Sequence, residues 1–469
     1  MENVVEQNSL STLSSLAPLK CSSSCVSNTI QMGNYVLMST FLGKKLTRLV
    51  KIDATGFTFM RKDKINLRSI IGDEWGCLYS LDRSDHTLYK VEFTQEQLRA
   101  LANVGSVFGD LNPDDDSKDN RSINDDGLSQ KLNRDEIEDL KKRAISAIDI
   151  VKSLVENSAT FKEKNTFSQE KYLKKKQAKY TNLIRIQRPT PSLIAEMFYL
   201  CGPMKINNLR VDTLAQMLSL CNIHSSGKYI VVDTNLGLVT AAIVDRLVGD
   251  GSMLQQGYDP GCCIQVYLDD GPMTSWRQSV DALNLSPEAL EICLTSISLR
   301  RIPSIETVNK IGTDSEKHAQ LISSQASPLI DEDGETNEDP GPSEAKRRKL
   351  EEKANRRALR KKEEKKALEI LSKRDIDGII IVTTNYEPHS ILDRLYPYLS
   401  PSQPYVVFSL TTDSLLKCYQ NLRGSSISAK ISETWMRHFQ VLPSRTRPVN
   451  NMSGSSGFLL SGIKVISDP

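Results

Sequence analysis

Apolar residues fall into distinct patterns along the chain. Between residues 34 and 93 they form short runs at strand period: 35–38, 46–52, 57–60, 78–81 and 88–93, separated by glycines and charged turns. Short strands packed this densely predict a small all-β barrel over 31–105. Ile137, Leu140, Ala144, Ile148, Val151 and Val155 then share one stripe, as an amphipathic helix requires. From about residue 190 the period changes again. Segments 191–200 and 211–220 read as helices, 229–232 as a buried strand and 239–247 as a helix. Strand signals return at 377–382 and 405–408. Alternating strands and helices predict an α/β sheet.

The polar stretches divide these blocks. Residues 1–30 are rich in Ser and Asn and are expected to be disordered. Residues 106–130 carry Asp110, Asp114, Asp115, Asp116, Asp119, Asp125 and Asp126, so 106–160 reads as an acidic linker plus the amphipathic helix. Residues 301–343 are polar, with six acids and no base between Asp331 and Asp339. Residues 344–374 read as a charged helix with Leu350, Leu359 and Leu368 as isolated apolar points. The expectation is therefore one α/β domain in two halves, 161–275 and 375–469, split by an insertion at 276–374. Long surface insertions add little closure entropy.

Composition narrows the function classes. With 469 residues, 39% of them hydrophobic, the chain can bury a real core. Its net charge of +2 gives no global field, so the placement of charge carries the signal. The nine cysteines include no C-x-x-C pair, and no four Cys/His ligands fall at zinc spacing. No metal is expected, and adjacent Cys262 and Cys263 suit a buried pair. No run of about 18 apolar residues exists to span a bilayer. Residues 1–15 lack the basic start and apolar core of a secretory leader, so a reducing interior compartment is expected.

The sharpest chemical signal is at 230–240, Ile-Val-Val-Asp-Thr-Asn-Leu-Gly-Leu-Val-Thr. An apolar strand ending in an acid, then a tight turn into a helix, is how nucleotide-type cofactors are held. The working turn reads D/E-x-G-x-G-x-G, because each glycine lets backbone approach the ligand. Here Asp233 and Gly237 remain, while Asn235 and Val239 replace the outer glycines. A ribose-binding acid is expected about 20 residues on. Residues 252–256 offer Gln255 there instead. If 264–268 is the second strand, Asp269 and Asp270 put an acid back, at a separation too long for the usual unit. Any buried strand followed by a glycine and a helix gives a similar pattern, so the turn reads as a degenerate cofactor site only beside the rest of the chain.

Two segments are strongly basic. In 161–188 nine Lys/Arg face two Glu. There Lys171, Lys174, Lys175, Lys176 and Lys179 are interleaved with Tyr172 and Tyr180. Ammonium groups contact phosphates and rings stack on bases, so this run is a candidate RNA-binding arm; a solvated linker gives the same composition. In 344–374 fourteen bases face six acids. The tetrad Lys346-Arg347-Arg348-Lys349 at its start resembles a nuclear import signal and implies a nuclear location.

Three further motifs carry a family resemblance. They are Phe167-Ser168-Gln169-Glu170-Lys171-Tyr172-Leu173-Lys174-Lys175-Lys176, Arg210-Val211-Asp212-Thr213-Leu214-Ala215-Gln216-Met217-Leu218, and a tail from Ser432-Glu433-Thr434-Trp435-Met436-Arg437 to Gly457-Phe458-Leu459-Leu460-Ser461-Gly462. With Ile71-Gly72, these resemble the non-catalytic subunit of the tRNA methyltransferase that makes N1-methyladenosine at position 58 of the T loop. The resemblance implies a degenerate Rossmann-like methyltransferase fold behind a small all-β barrel. It implies no cofactor in this chain, S-adenosylmethionine and the catalytic aspartate in a partner chain, two copies of each chain, and tRNA as the bound RNA. It places the catalytic aspartate after the fourth strand, where this chain has Val382-Thr383-Thr384-Asn385. The alternatives are an active methyltransferase with an unusual pocket and an RNA-binding translation factor without such a partner. Trp435, Phe439, Phe458 and Leu459 are expected to form the partner interface, on a hydrophobic strand at the sheet edge.

Overall fold

The computed structural model describes residues 27–41, 46–94, 131–133, 136, 147–161, 164, 166–180, 183–249, 251, 254, 256–268, 276–303, 344–383, 386–441, 446–450, 452 and 456–466. Of the stretch 1–30 expected to be disordered, residues 1–26 lie outside these residues, as does the acidic linker at 106–130. Residues 27–30 correct the expectation, since Thr29 bridges Glu74 and Ile30 is fully buried in the first unit's core. The chain divides into two compact units, Ser27–Pro189 and one that begins at Thr190.

The first unit is all-β with a helical pair. Strands β1 (Tyr35–Thr40), β2 (Thr47–Lys51), β5 (Leu78–Leu81), β6 (Leu88–Val91) and β7 (Leu183–Gln187) form an antiparallel sheet in the order β2-β1-β7-β5-β6. A separate hairpin, β3 (Phe57–Met60) and β4 (Asp63–Asn66), adds Met60 and Ile65 to the same core as Val36, Met38, Tyr79 and Ile186. Helices α1 (Ala147–Glu156) and α2 (Thr166–Tyr180) share a smaller core of Ile150, Val151, Leu154, Phe161 and Leu173. This corrects the expected boundary. β7 pairs with β1 and β5, so residues 161–189 belong to this unit and not to the α/β domain.

The second unit is a seven-stranded sheet. Its strands are β8 (Lys228–Asp233), β9 (Cys262–Tyr267), β10 (Leu294–Ser298), β11 (Gly378–Val382), β12 (Pro404–Ser409), β13 (Ser426–Glu433) and β16 (Phe458–Lys464). A short hairpin, β14 (Phe439–Gln440) with β15 (Arg447–Pro448), lies between β13 and β16 in the chain. The order is β10-β9-β8-β11-β12-β16-β13. Strands β8 to β12 run parallel, and β16 is antiparallel to both of its neighbours. Numbered from β8, this is 3-2-1-4-5 with the last strand slotted in before the sixth. It is the Rossmann-like methyltransferase arrangement, and its ligand crevice lies where the order reverses, between β8 and β11. The central strands are buried on both faces, as parallel strands between helices must be.

The supposed insertion is shorter than expected. Helices α6 (Arg277–Asp281) and α7 (Pro287–Cys293) lead into β10, the third strand of the sheet. Helix α8 (Glu344–Ser372) ends with Ala367 and Leu371 in the sheet's core. Thr295 donates to the Glu363 carbonyl at 2.7 Å and Ser296 to its carboxylate, so α8 seats on β10 through polar contacts. The last turns of α8 are thus part of the fold.

Candidate functional site

The crevice is built from the turn between β8 and α5 (Leu238–Val248). Asp233 ends β8 and is buried. Its carboxylate accepts the backbone N–H of Asn235 at 2.7 Å, of Val239 at 2.8 Å and of Thr240 at 2.9 Å. The first turn of a helix leaves N–H groups available to a ligand. Here Asp233 takes two of them, at Val239 and Thr240. Burial raises the affinity of this carboxyl for its proton, and those N–H donors oppose the rise.

The three residues at the motif's glycine positions are equally committed. Asn235 is fully buried and accepts a hydrogen bond from the Asn207 amide. Val239 is fully buried beneath the helix start. Gly237 sits at φ +71°, and a Cβ there would overlap the Trp276 carbonyl oxygen. Leu236 also adopts a left-handed φ of +55°, and its carbonyl accepts the Ser279 N–H at 3.1 Å. Gly237 therefore still permits a close approach, but the approaching group is this chain's own backbone. The turn's own side chains and the Trp276 backbone thus occupy the space at these three positions.

The sequence that follows β11, Val382-Thr383-Thr384-Asn385, carries no carboxylate. Thr234 donates both its N–H and its hydroxyl to the Val382 carbonyl at 3.1 Å, which ties β8 to β11. Thr383, next in the chain, is buried with its hydroxyl unpaired among the described residues. Thr384 and Asn385 lie outside those residues. The Asn235 amide nitrogen and the Ser279 hydroxyl are likewise buried without a partner among them. Asp233, the carboxylate at the end of β8, is bound up in the turn by its three backbone donors.

The second strand is β9, paired parallel to β8 with Tyr229 opposite Cys263. This corrects the reading of Gln255 as the residue after that strand. The position belongs to Asp269 and Asp270, which, like Gln255, lie outside the described residues. The residue that sequence reading missed is Gln265 on β9. Its amide accepts the Thr240 hydroxyl and reaches the Asp233 carbonyl at 3.5 Å, bracing the turn from the next strand.

The family model for Gcd10p matches residues 29–366. The chain is 36% identical to the tRNA (adenine(58)-N(1))-methyltransferase non-catalytic subunit of Mus musculus, covering 75% of this chain and 74% of that one. It is 30% identical to the subunit of the same name from Dictyostelium discoideum, covering 94% and 80%. The chain belongs to the Gcd10p family. Among solved structures it is similar to the tRNA (m1A58) methyltransferase of Aquifex aeolicus, at 12% identity and a TM-score of 0.41, covering 94% of this chain and 100% of that one.

The other expected sites of this Gcd10p-family chain divide clearly. On α2, Leu173 and Gln177 are buried while Lys171 and Lys175 are exposed on the opposite face. Tyr172 is half-buried, packing on Phe161 with ring centroids 5.5 Å apart, and Lys164 and Lys176 lie over it at 5.2 and 5.1 Å. It serves the helix pair and is not an open stacking ring. The side chains of Lys174, Lys179 and Tyr180, and of the tetrad Lys346, Arg347, Arg348 and Lys349, lie outside the described residues.

At the C-terminus the edge-strand expectation is overturned. β16 pairs with β12 on one side and β13 on the other. Leu459 is fully buried, and Phe458 packs against the sheet's core. Trp435 and Phe439 are 69% and 54% exposed, in the excursion between β13 and β16. That excursion is tied down by Arg210, just before α4 (Val211–Leu220). Arg210 forks onto Asp212 at 2.8 and 2.9 Å and donates to the Thr434 carbonyl at 3.1 Å. Thr213 bonds both Thr434 and Ser456, closing the knot.

Cys262 and Cys263 are both buried on β9, and burial pushes the Cys262 thiol up to about 11 and raises the Cys263 thiol well above its ordinary range. Among the described residues no cluster of acids, His and Cys could hold a metal, and no helix is long and apolar enough to cross a membrane.

Proposed function

We propose that this chain is the non-catalytic subunit of a tRNA (adenine(58)-N(1))-methyltransferase, paired with a catalytic chain that holds S-adenosylmethionine. The observation that carries this reading is the Trp276 carbonyl seated against Gly237 in a methyltransferase-type sheet. The scaffold is retained and its cofactor turn is filled from within. The names of the relatives from Mus musculus and Dictyostelium discoideum support the same reading. Modifying N1 of an adenine requires exposing an edge that pairing or tertiary contacts cover. A second subunit supplies surface for holding the tRNA in that opened shape, which RNA recognition reads mainly through backbone and unstacked bases.

In this reading Lys171 and Lys175 of α2 meet phosphates, with Lys174, Lys176 and Lys179 beside them in the chain. Trp435 and Phe439, with Val441 at 77% exposure, meet the catalytic chain. Exposed aromatic rings on a fixed excursion suit a buried interface anchor. The assembly contains two of each chain, and the Lys346–Lys349 tetrad directs it to the nucleus. The test is reconstitution with the catalytic chain, followed by T-loop methylation and light scattering. Activity requires both chains, with a mass equal to two of each. Methylation by either chain alone, at the rate of the pair, contradicts the proposal.

A further inference from the structure

The β3–β4 hairpin is built inside out. Along β3, Thr58 and Met60 are buried while Phe57 and Phe59 are 45% and 53% exposed. A half-buried strand ordinarily turns its large apolar side chains inward. Here the alternation is kept and its sign reversed, so that two rings stand side by side on one open face, at i and i+2. Cations surround them. The Lys64 ammonium lies over the Phe57 ring at 4.1 Å. Arg48, on the neighbouring strand β2, donates to the Phe59 carbonyl. Arg61 and Lys62 form the exposed turn of the hairpin, Arg61 at φ +57°. Asp63, the one acid of the hairpin, is paired with Arg83 at 3.0 Å.

From this we infer that the β3–β4 hairpin is a stacking platform for unpaired bases of a bound RNA, with Phe57 and Phe59 as its rings and Arg61 and Lys62 on the flanking phosphates. Exposed rings flanked by cations of the turn and the neighbouring strands match single-stranded nucleic acid, which offers π-faces and phosphates at short repeat. They match a protein partner poorly, because the centre of a protein interface is depleted of lysine. The inference rests on the proposed tRNA-binding role and gives it a surface that the basic run of α2 does not contain, since Tyr172 is packed inward.

The experiment uses the complex with its catalytic chain and an unmodified tRNA transcript, with binding measured across a salt series. Phe57→Ala with Phe59→Ala weakens binding at least about 10-fold at every salt concentration, since each stacked base contributes roughly 5- to 150-fold. The log–log salt slope stays unchanged in that variant. Arg61→Ala with Lys62→Ala instead lowers the slope by about 0.7–0.9 per residue. Phe59→Trp keeps the affinity, and Phe59→Leu loses it despite its apolar bulk. The rings are exposed, so an unchanged melting transition accompanies each variant. If the ring variants bind like the parent, or Leu serves as well as Phe, the platform is refuted. If they release the catalytic chain in gel filtration, the rings face a protein and the inference is wrong. Failure of the parent complex to bind tRNA would overturn the proposed function and this inference together.

Discussion

The turn after β8 and the hairpin β3–β4 are two short reversals of the chain that direct their groups in opposite senses. In the turn, Asp233 gathers three backbone N–H groups and the Trp276 carbonyl fills the space over Gly237. In the hairpin, two large rings and two cations point outward. The turn's polar groups are engaged within the chain, whereas the hairpin leaves its rings and cations exposed.

The contrast breaks first on stability. Gly237→Ala adds a Cβ where the Trp276 carbonyl sits, at a φ that L-residues adopt under strain. It should cost about 4 kcal/mol, read as a large drop in the urea midpoint. Asp233→Ala leaves three backbone donors without their acceptor. The expected loss is about 3 kcal/mol by the same measurement. Phe59→Ala on the hairpin should change the midpoint by less than about 0.5 kcal/mol, because that ring supports no core. If the hairpin variant were as costly as the turn variants, the two regions would not differ as argued.

A smaller effect tests burial at the other end of the same sheet. Lys464 on β16 donates to the Tyr396 and Leu399 carbonyls at 2.9 and 2.6 Å, and burial lowers its ammonium to about 8. An unfolded lysine keeps its proton to about pH 10.4. Between those values the unfolded chain binds more protons, so this group makes stability rise with pH. Lys464→Met should remove that rise, a difference of no more than about 3 °C in melting temperature between pH 8 and 10.

Local pattern made the strand–turn–helix at 228–248 legible, along with β11 and β12, because fully apolar runs bounded by turns have few alternatives. It could not show that β7 joins the first unit. A strand's partners are set by tertiary contact, and β7 pairs with β1 across a long stretch of chain. β10 escaped notice for a related reason. It fell within the expected insertion at 276–374, where Thr295 and Ser296 break up the apolar run, yet both are buried and bonded to Glu363 of α8. The hairpin rings show a third limit. A two-residue period reveals that a strand has two faces and leaves open which one is inside. The closure of the turn was invisible because Trp276 lies far along the chain from Gly237 and contributes only backbone.

The central claim is that this chain's cofactor turn is closed, and counting bound cofactor tests it most directly. Equilibrium dialysis of radiolabelled S-adenosylmethionine against the assembled complex should give one equivalent per pair of chains. The count should stay at one when Asn235→Gly and Val239→Gly restore the missing glycines, since the Trp276 carbonyl remains over Gly237. Two equivalents per pair in the unaltered complex, the second lost on Gly237→Ala in a chain that stays folded, would contradict the account.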